Sequence, residues 1–180
     1  TKPFGFKKFT PGPGVGGHCI PVDPYYLSWL AREYDFETKF ITLAANVNES
    51  MPYHVTNLVM KEIAKQPIRL QDARILILGV SIHRLLDEGV TQIDVSDPWA
   101  EEYKVAGKTY YSVELTEESI ASYNTIIMIT DHDRFDVPFI VKHATHIIDT
   151  RNMTANVEEG REKITLLGYA QPKQKPILQH

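Results

Sequence analysis

The only cysteine of the chain, Cys19, closely follows a glycine- and proline-rich run and is followed four residues later by Asp23. The run contains Pro11, Gly12, Pro13, Gly14, Gly16 and Gly17. Glycine lets a ligand approach the main chain closely, and proline excludes a regular helix or central strand. We therefore expect a stiff loop that presents backbone amides and a thiol. A thiolate in such a loop is suited to nucleophilic catalysis, with Asp23 as a candidate base or orienting group.

Two interpretations of Cys19 are open from the residues alone. A single thiol is more often a buried structural side chain than a nucleophile. The surrounding loop holds little apolar material to bury it against, which favours the catalytic interpretation. His18 is a weak candidate base because adjacent side chains usually point apart, and an ordinary loop histidine is the simpler interpretation.

Two further candidates follow predicted strands. Arg151 comes after the apolar run that ends at Asp149, and its planar, always charged guanidinium suits a phosphate or carboxylate. The alternative is a salt bridge to Asp149 or a helix end. His132 either touches a ligand or caps the following turn, and we weigh these equally. The seven histidines show no metal-ligand spacing, so no metal site is predicted.

The segment after the cysteine loop has helical periodicity. Residues 24–34 are predicted as a short helix capped by Asp23. Its apolar residues at helical spacing are Leu27, Leu30 and Ala31. A second apolar segment begins at Thr38, and Pro52 starts or kinks the helix that follows. Its apolar stripe consists of Val55, Leu58, Val59 and Ile63. The pattern predicts a long helical segment that ends near Lys65.

The pattern then changes to short apolar runs, which are typical of buried parallel strands. Strands are predicted at 73–79, 92–95, 125–130 and 146–149, with helices at 116–122 and 138–143. This alternation indicates an α/β fold with a parallel sheet, whose ligands bind beyond the carboxyl ends of the strands. The predicted division is a cysteine loop (1–23), helices (24–66), an α/β domain (67–170) and a loose tail (171–180).

One connection is too short for this fold. A right-handed crossover with its helix needs about a dozen or more residues. The segment 79–89 between the first two strands offers few helical positions, so we predict that residues are missing there. The chain also starts at Thr1, not methionine, which suggests a fragment.

Composition excludes several classes of protein. With 43% hydrophobic and 23% charged residues the chain is typical of globular domains, and a net charge of −4 gives no support for nucleic-acid binding. No apolar run is long enough to cross a membrane. One cysteine and no recognisable signal peptide favour the reducing cytoplasm.

The segment Pro11–Trp29, PGPGVGGHCIPVDPYYLSW, resembles the active-cysteine motif of the UDP-glucose/GDP-mannose dehydrogenase family. The motif is long and highly specific. The resemblance continues through Asn46–Pro52 and through ARILILGVS, VSDPW, ITDHDRFD and IIDTRN, so it covers nearly the whole chain. Among the branches of the family, the bacterial UDP-N-acetylglucosamine 6-dehydrogenases and the related UDP-N-acetylmannosamine dehydrogenases are the most similar.

The resemblance implies oxidation of a sugar C6 alcohol to a carboxylate with NAD as the cofactor. Hydride loss gives an aldehyde, a cysteine thiolate adds to it as a thiohemiacetal, a second hydride transfer gives a thioester, and water hydrolyses the thioester. Carried over by position, Cys19 would be the nucleophile, and Asp23 would assist water or proton transfer. The residues implied to contact the UDP-sugar substrate are Phe9, Gly16, Gly17, Arg151 and, for the substrate of a partner subunit, Lys2.

The chain also departs from the family pattern. We expect that the amino-terminal NAD-binding domain is absent, so the cofactor-binding residues are unknown. A family lysine and an Asp-x-Arg stretch are missing where Ser81-Ile82 runs straight into His83. The resemblance therefore implies the carboxyl-terminal portion of such an enzyme, forming a homodimer through its central helices. The alternatives are a non-catalytic nucleotide-sugar-binding domain and a UDP-glucose 6-dehydrogenase.

Overall fold

The computed structural model describes residues 5, 11–16, 19–79, 89–105 and 107–168. Two helices come first: α1 (Asp23–Arg32) and the 25-residue α2 (Lys39–Ile63). Pro52 lies inside α2, so the two apolar segments around it form one continuous helix. This confirms the predicted long helical segment.

The second half is an α/β unit around a five-stranded sheet. Its strands are β1 (Arg74–Leu78), β2 (Gln92–Ser96), β5 (Thr125–Met128), β6 (Ile147–Asp149) and β7 (Ile164–Leu166). All neighbours pair in parallel in the order β2-β1-β5-β6-β7. The helices α3 (Glu117–Ala121) and α4 (Val137–His143) precede β5 and β6. The predicted parallel α/β architecture is confirmed.

Alternation along the strands gives the sheet two apolar faces. Ile75 and Ile77 of β1 pack with Val59 and Ile63 of α2, while Leu76 and Leu78 point to the opposite face. That second face is covered by α3, α4 and neighbouring residues. Because successive side chains in a strand point to opposite sides, a continuous apolar run is what a sheet covered on both faces requires.

Three strands were missed by the sequence analysis. β3 (Glu102–Val105) and β4 (Lys108–Tyr111) form an antiparallel hairpin. They escaped prediction because charged and polar residues interrupt both strands. β7 is only three residues long and has one buried residue, so its pattern is too short to recognise.

The start of α1 also differs from expectation. Asp23 is the first helical residue and not the cap: the N-cap is Val22, whose side chain forms no capping hydrogen bond. Leu27 and Leu30 are exposed, and the buried residue of α1 is Ser28. The Ser28 hydroxyl accepts a 2.7 Å hydrogen bond from Thr38 and lies 3.5 Å from the Thr42 hydroxyl. Polar contacts therefore attach α1 to α2.

The predicted short connection between β1 and β2 and the predicted tail (171–180) fall largely outside the described residues.

Candidate active site

Cys19 lies one turn before α1. Its carbonyl accepts hydrogen bonds from the backbone N–H groups of Val22 (3.1 Å) and Asp23 (2.8 Å), and its side chain is exposed. The predicted alternative of a thiol buried in apolar packing is therefore wrong. The N-terminal end of a helix carries a partial positive charge that favours an anion such as a thiolate. Asp23 is joined to Cys19 through this backbone bond, and its own side chain is exposed.

The glycine loop rests on the middle of α2. A Cβ atom added to Gly14 would lie 3.7 Å from the carbonyl oxygen of Asn48 and 3.7 Å from the ring of Pro52. Pro52 has no N–H, so it cannot donate the helical hydrogen bond that the Asn48 carbonyl would otherwise accept. The proline therefore leaves a helix carbonyl available beside the loop.

The same loop meets the carboxyl end of β6 through Arg151. One guanidinium nitrogen, Nη1, lies 3.5 Å from the carbonyl oxygen of Pro11. A Cβ atom added to Gly12 would overlap Nη1 and would lie 3.3 Å from Cζ of Arg151. Arg151 donates its backbone N–H to Asp149, and its guanidinium forms no salt bridge with that carboxylate, so the salt-bridge part of the alternative is wrong. The structure thus brings together the cysteine loop and the arginine, which are 140 residues apart.

A buried carboxylate shapes the turn that carries Arg151. Asp149 is 1% exposed; its Oδ1 accepts the backbone N–H of Arg151 at 2.9 Å. Its Oδ2 accepts the backbone N–H and the hydroxyl of Thr154, both at 2.8 Å. Between them, Asn152 has a left-handed backbone with φ 61°. Three donors to one carboxylate stabilise this tight turn.

The neighbouring strand ends carry a second polar group. Nε2 of His132 lies 3.5 Å from Oδ2 of Asp97, so His132 bridges the ends of β5 and β2. The guanidinium of Arg134 lies 3.9 Å from the ring centroid of the exposed Trp99. Burial, together with the negative charges of Asp97 and Asp94, raises the pKa of Tyr103 to about 12.

The end of β1 is closely packed against the end of β5. Gly79 has φ 106°, and a Cβ atom added there would overlap the Thr130 hydroxyl. Only glycine combines this backbone conformation with this close approach. In the sheet, β1 lies next to β5, although the two strands are far apart in sequence. Parallel sheets bind ligands at such a point, beyond the carboxyl ends of the strands.

An apolar groove of about 530 Å³ runs along α1. It is lined by Pro21, Val22, Tyr25, Tyr26 and Trp29. None of these side chains carries a charge, so the groove does not suit a diphosphate.

Several predicted site residues lie outside the part of the chain that the structure describes: Lys2, Phe9, Gly17 and His18. Gly16 is described and exposed. Within the described ranges, no three His, Cys, Asp or Glu side chains are grouped so that they could hold a metal ion.

Helices long and apolar enough to cross a bilayer do not occur among the described residues.

Sequence reasoning missed the parts played by Gly12 and Asp149. Gly12 was one of several loop glycines, and nothing in its neighbours distinguishes it. Asp149 gave one usable signal, since an Asp at a strand end followed by a turn often accepts local backbone hydrogen bonds.

Comparison with known protein families shows to which family the chain is related. The central-domain model of the UDP-glucose/GDP-mannose dehydrogenase family matches residues 1–50, and its UDP-binding-domain model matches residues 78–156. The chain belongs to this family. The match includes the cysteine loop in the first model and the strand ends up to Arg151 in the second.

Individual relatives carry more specific names. A UDP-N-acetyl-D-mannosamine dehydrogenase of Methanococcus vannielii is 29% identical over 88% of this chain and 40% of its own length. A UDP-N-acetyl-D-glucosamine 6-dehydrogenase of Pseudomonas aeruginosa is 32% identical over 73% of this chain and 34% of its own length. The solved structure of a UDP-D-ManNAc dehydrogenase from Pyrococcus horikoshii superimposes with a TM-score of 0.64 and 25% identity, covering 87% of this chain and 39% of that one. The chain thus spans about 40% or less of the length of these relatives.

Proposed function

We propose that this chain is the UDP-sugar-binding and thiol-bearing part of an NAD-dependent nucleotide-sugar 6-dehydrogenase acting on a UDP-N-acetylhexosamine in the cytoplasm. The observation that carries the proposal is the contact between the cysteine loop and Arg151. It joins a segment that presents an exposed thiol to a cation at the ligand-binding edge of a parallel sheet. The named relatives support a UDP-N-acetylhexosamine as the substrate class.

The proposed role of Cys19 is covalent. Its sulfur adds to the C6 aldehyde carbon, so that a C–S bond forms and the former carbonyl oxygen takes up a proton. Once this adduct has been oxidised to the thioester, water attacks the same carbon and the C–S bond breaks. The thiol is regenerated, and the sugar leaves as a carboxylate. Asp23 is proposed to accept the proton of the attacking water, because its backbone is held to Cys19 one helical turn away.

Arg151 is proposed to bind the diphosphate of the nucleotide. A planar guanidinium with several donors suits phosphate oxygens, and it lies where the loop and the strand end converge. We propose that Gly16, together with Gly17 and Phe9, completes the sugar and nucleotide contacts, and that Lys2 approaches the substrate of a partner subunit. The proposed domain limits are those predicted from the sequence: 1–23, 24–66, 67–170 and 171–180.

The described residues do not fit NAD. A dinucleotide pyrophosphate needs a glycine turn between a strand and the start of a helix. The loop 11–16 instead lies against α2 and Arg151, and no strand precedes it among the described residues. The hydride acceptor therefore belongs to parts of the enzyme outside these residues.

Replacement of the thiol tests the covalent step. In the full-length enzyme, Cys19→Ser should abolish net formation of the sugar carboxylate, because a serine hydroxyl is a far weaker nucleophile than a thiolate at neutral pH. Binding of the UDP-sugar should stay within about twofold of wild type, since the substitution is nearly isosteric. Carboxylate formation at the normal rate would contradict the mechanism.

Alkylation separates the proposed UDP-sugar site at Cys19 from the thiol of an unrelated enzyme. UDP-N-acetylglucosamine should slow the reaction of Cys19 with iodoacetamide in the 180-residue chain, whereas glucose 6-phosphate should not. Equal rates with and without the UDP-sugar would place the thiol away from the substrate. Initial rates of the full-length enzyme on the UDP forms of N-acetylglucosamine, N-acetylmannosamine and glucose would identify the sugar.

A further inference from the structure

The side chain of Arg151 occupies the space that a side chain at position 12 would need. A Cβ atom on Gly12 would overlap Nη1 and would lie 3.3 Å from Cζ and 3.5 Å from Cδ of Arg151. The arginine therefore runs directly along the main chain of the loop from Cδ to its terminal nitrogen. Because a real Cβ essentially never approaches another heavy atom this closely, any larger residue at position 12 must displace the arginine.

The requirement for glycine at position 12 is spatial and not conformational. Gly12 is not among the glycines with a positive φ, in contrast to Gly14 in the same loop. Alanine would thus adopt the native backbone without strain. Its Cβ would push only on the far end of a flexible side chain, so the fold should tolerate the change. The consequence should be a misplaced guanidinium, not an unfolded loop.

The position of Arg151 is set from the other side by Asp149. The carboxylate holds the backbone N–H of Arg151 and both the N–H and the hydroxyl of Thr154. The turn between Arg151 and Thr154 is therefore held at both ends. This fixes the backbone from which the arginine side chain extends. An uncharged amide in place of this carboxylate would turn an NH₂ group toward N–H donors, which is repulsive.

The guanidinium of Arg151 uses few of its donors on the described residues. Nη1 has one acceptor, the carbonyl of Pro11, at the 3.5 Å limit of a hydrogen bond, and the described residues offer no further acceptor to this side chain. Among the described residues, Arg151 thus touches the cysteine loop with one nitrogen, and its other guanidinium donors suit phosphate oxygens.

We propose that Gly12 and Asp149 are positioning residues for Arg151, which binds the nucleotide diphosphate while contacting the cysteine loop; this rests on the proposed function. Gly12 acts by leaving space and Asp149 by fixing the turn. Nucleotide binding at the sheet edge therefore depends on the position of the loop that carries the thiol.

A double-mutant cycle tests the proposal by calorimetric titration of the 180-residue chain with UDP. Arg151→Ala should weaken UDP binding about tenfold or more, because a charged hydrogen bond to phosphate is lost. Gly12→Ala should weaken it to a similar extent while the melting temperature stays near that of wild type. In the Arg151→Ala background, Gly12→Ala should have no further effect, because no arginine is left to displace. Arg69→Ala, which removes an exposed arginine paired with Asp72, is the matched control for loss of positive charge.

The outcomes are distinguishable. If the wild-type chain does not bind UDP, the proposed function fails and the inference fails with it. If wild type binds UDP but Gly12→Ala weakens binding equally with and without Arg151, the proposed function survives and the spatial role of Gly12 is refuted. Arg151→Lys in the Gly12→Ala background gives a second measurement: the narrower lysine should recover part of the lost affinity, and no recovery would count against the inference.

The proposed positioning role of Asp149 is tested separately. Asp149→Asn should weaken UDP binding by a factor approaching that of Arg151→Ala. Thr154→Val keeps the carboxylate and removes only one of its donors, so it should have a smaller effect in the same direction. If Asp149→Asn fails to fold, Thr154→Val decides: unchanged UDP affinity in a folded Thr154→Val chain would refute the role of the Asp149 turn.

Discussion

The two halves of α2 carry similar apolar stripes but have opposite surroundings. Toward the carboxyl end, Val55, Val59 and Ile63 are buried against the sheet. Toward the amino end, Phe40, Leu43 and Val47 recur at helical spacing yet are exposed, Phe40 to 87%. At 3.6 residues per turn the two stripes point roughly a third of a turn apart. The exposed stripe therefore faces away from the sheet of its own chain and is available to another surface.

The same comparison separates two kinds of helix contact. α1 reaches the exposed half of α2 through hydroxyl groups and through the Tyr25 hydroxyl, which donates to Glu49 at 2.6 Å. The sheet reaches the other half through apolar side chains. An apolar stripe thus indicates a buried face, but not whether the chain itself or a partner buries it. We propose that a second copy of the chain covers the exposed stripe, in line with the homodimer expected from the sequence.

The largest difference between the two halves should appear on truncation. Ile63→Ala should lower the free energy of unfolding by about 2–5 kcal/mol, because it removes a buried side chain and leaves a cavity. Leu43→Ala, at 58% exposure in the other half, should change it by about 0.5 kcal/mol or less in the dilute monomer. Urea titration of both variants measures this. Equal losses would mean that the amino-terminal half is also packed within one chain.

A charge in the exposed stripe should act on association instead. Phe40→Glu should weaken self-association at least about tenfold, since it would place a charge in an apolar interface. Asn46→Glu adds the same charge on the same helix but off the stripe, so it should leave association nearly unchanged. Sedimentation equilibrium of both variants makes the comparison. A wild-type chain that stays monomeric at high micromolar concentration would contradict the proposed dimer.

A smaller effect is expected where α1 meets α2. Ser28→Ala removes the acceptor of the Thr38 hydroxyl and should cost about 1 kcal/mol of unfolding free energy. Ser50→Ala, whose exposed hydroxyl donates only to a carbonyl of its own helix, should cost less. Urea titration of both variants gives the difference. A cost for Ser28→Ala like that of Ile63→Ala would show that α1 belongs to the apolar core.

The weakest signal should be a pH dependence confined to the sheet-bound end of α2. Burial lowers the pKa of His146, with Glu62 raising it and Lys65 lowering it. Nε2 lies 3.2 Å from the Thr165 hydroxyl and 3.6 Å from Glu62, whereas the buried Nδ1 has no partner among the described residues. A second proton would therefore sit on a nitrogen without an acceptor, so the folded state favours the neutral ring.

The sign of the effect follows from proton linkage. Below the ordinary histidine pKa of about 6.5, the unfolded chain binds the proton more readily than the folded chain, so stability falls as the pH is lowered through this value. His146→Phe should flatten this slope, and His54→Asn, at an exposed position, should not. Urea midpoints between pH 5 and pH 8 measure it. A slope that is unchanged in His146→Phe would assign the pH dependence to other groups.

The candidate site shows which features can be predicted from the pattern of residues and which cannot. The thiol loop, the parallel strands and the arginine at a strand end are each recognisable locally, because glycine, proline and apolar runs restrict the backbone wherever they occur. The approach of Gly12 to Arg151 is not recognisable, because the positions are separated by 139 residues and meet only when the sheet and α2 are packed. The hairpin β3–β4 was missed because charged and polar residues interrupt both strands, although Tyr103 and Tyr110 pack against the core.

By itself, the sequence determined the main helices, the continuous buried strands and the chemical character of the cysteine loop, since these depend on neighbouring residues in the chain. Only the tertiary structure decided the strand order, which half of α2 is buried, and that Arg151 lies against the loop beside Gly12. The physical reason is that local backbone preferences act over a few residues. Burial and steric exclusion depend on which distant surfaces of the chain pack together. The same apolar or glycine pattern is compatible with several different packing arrangements.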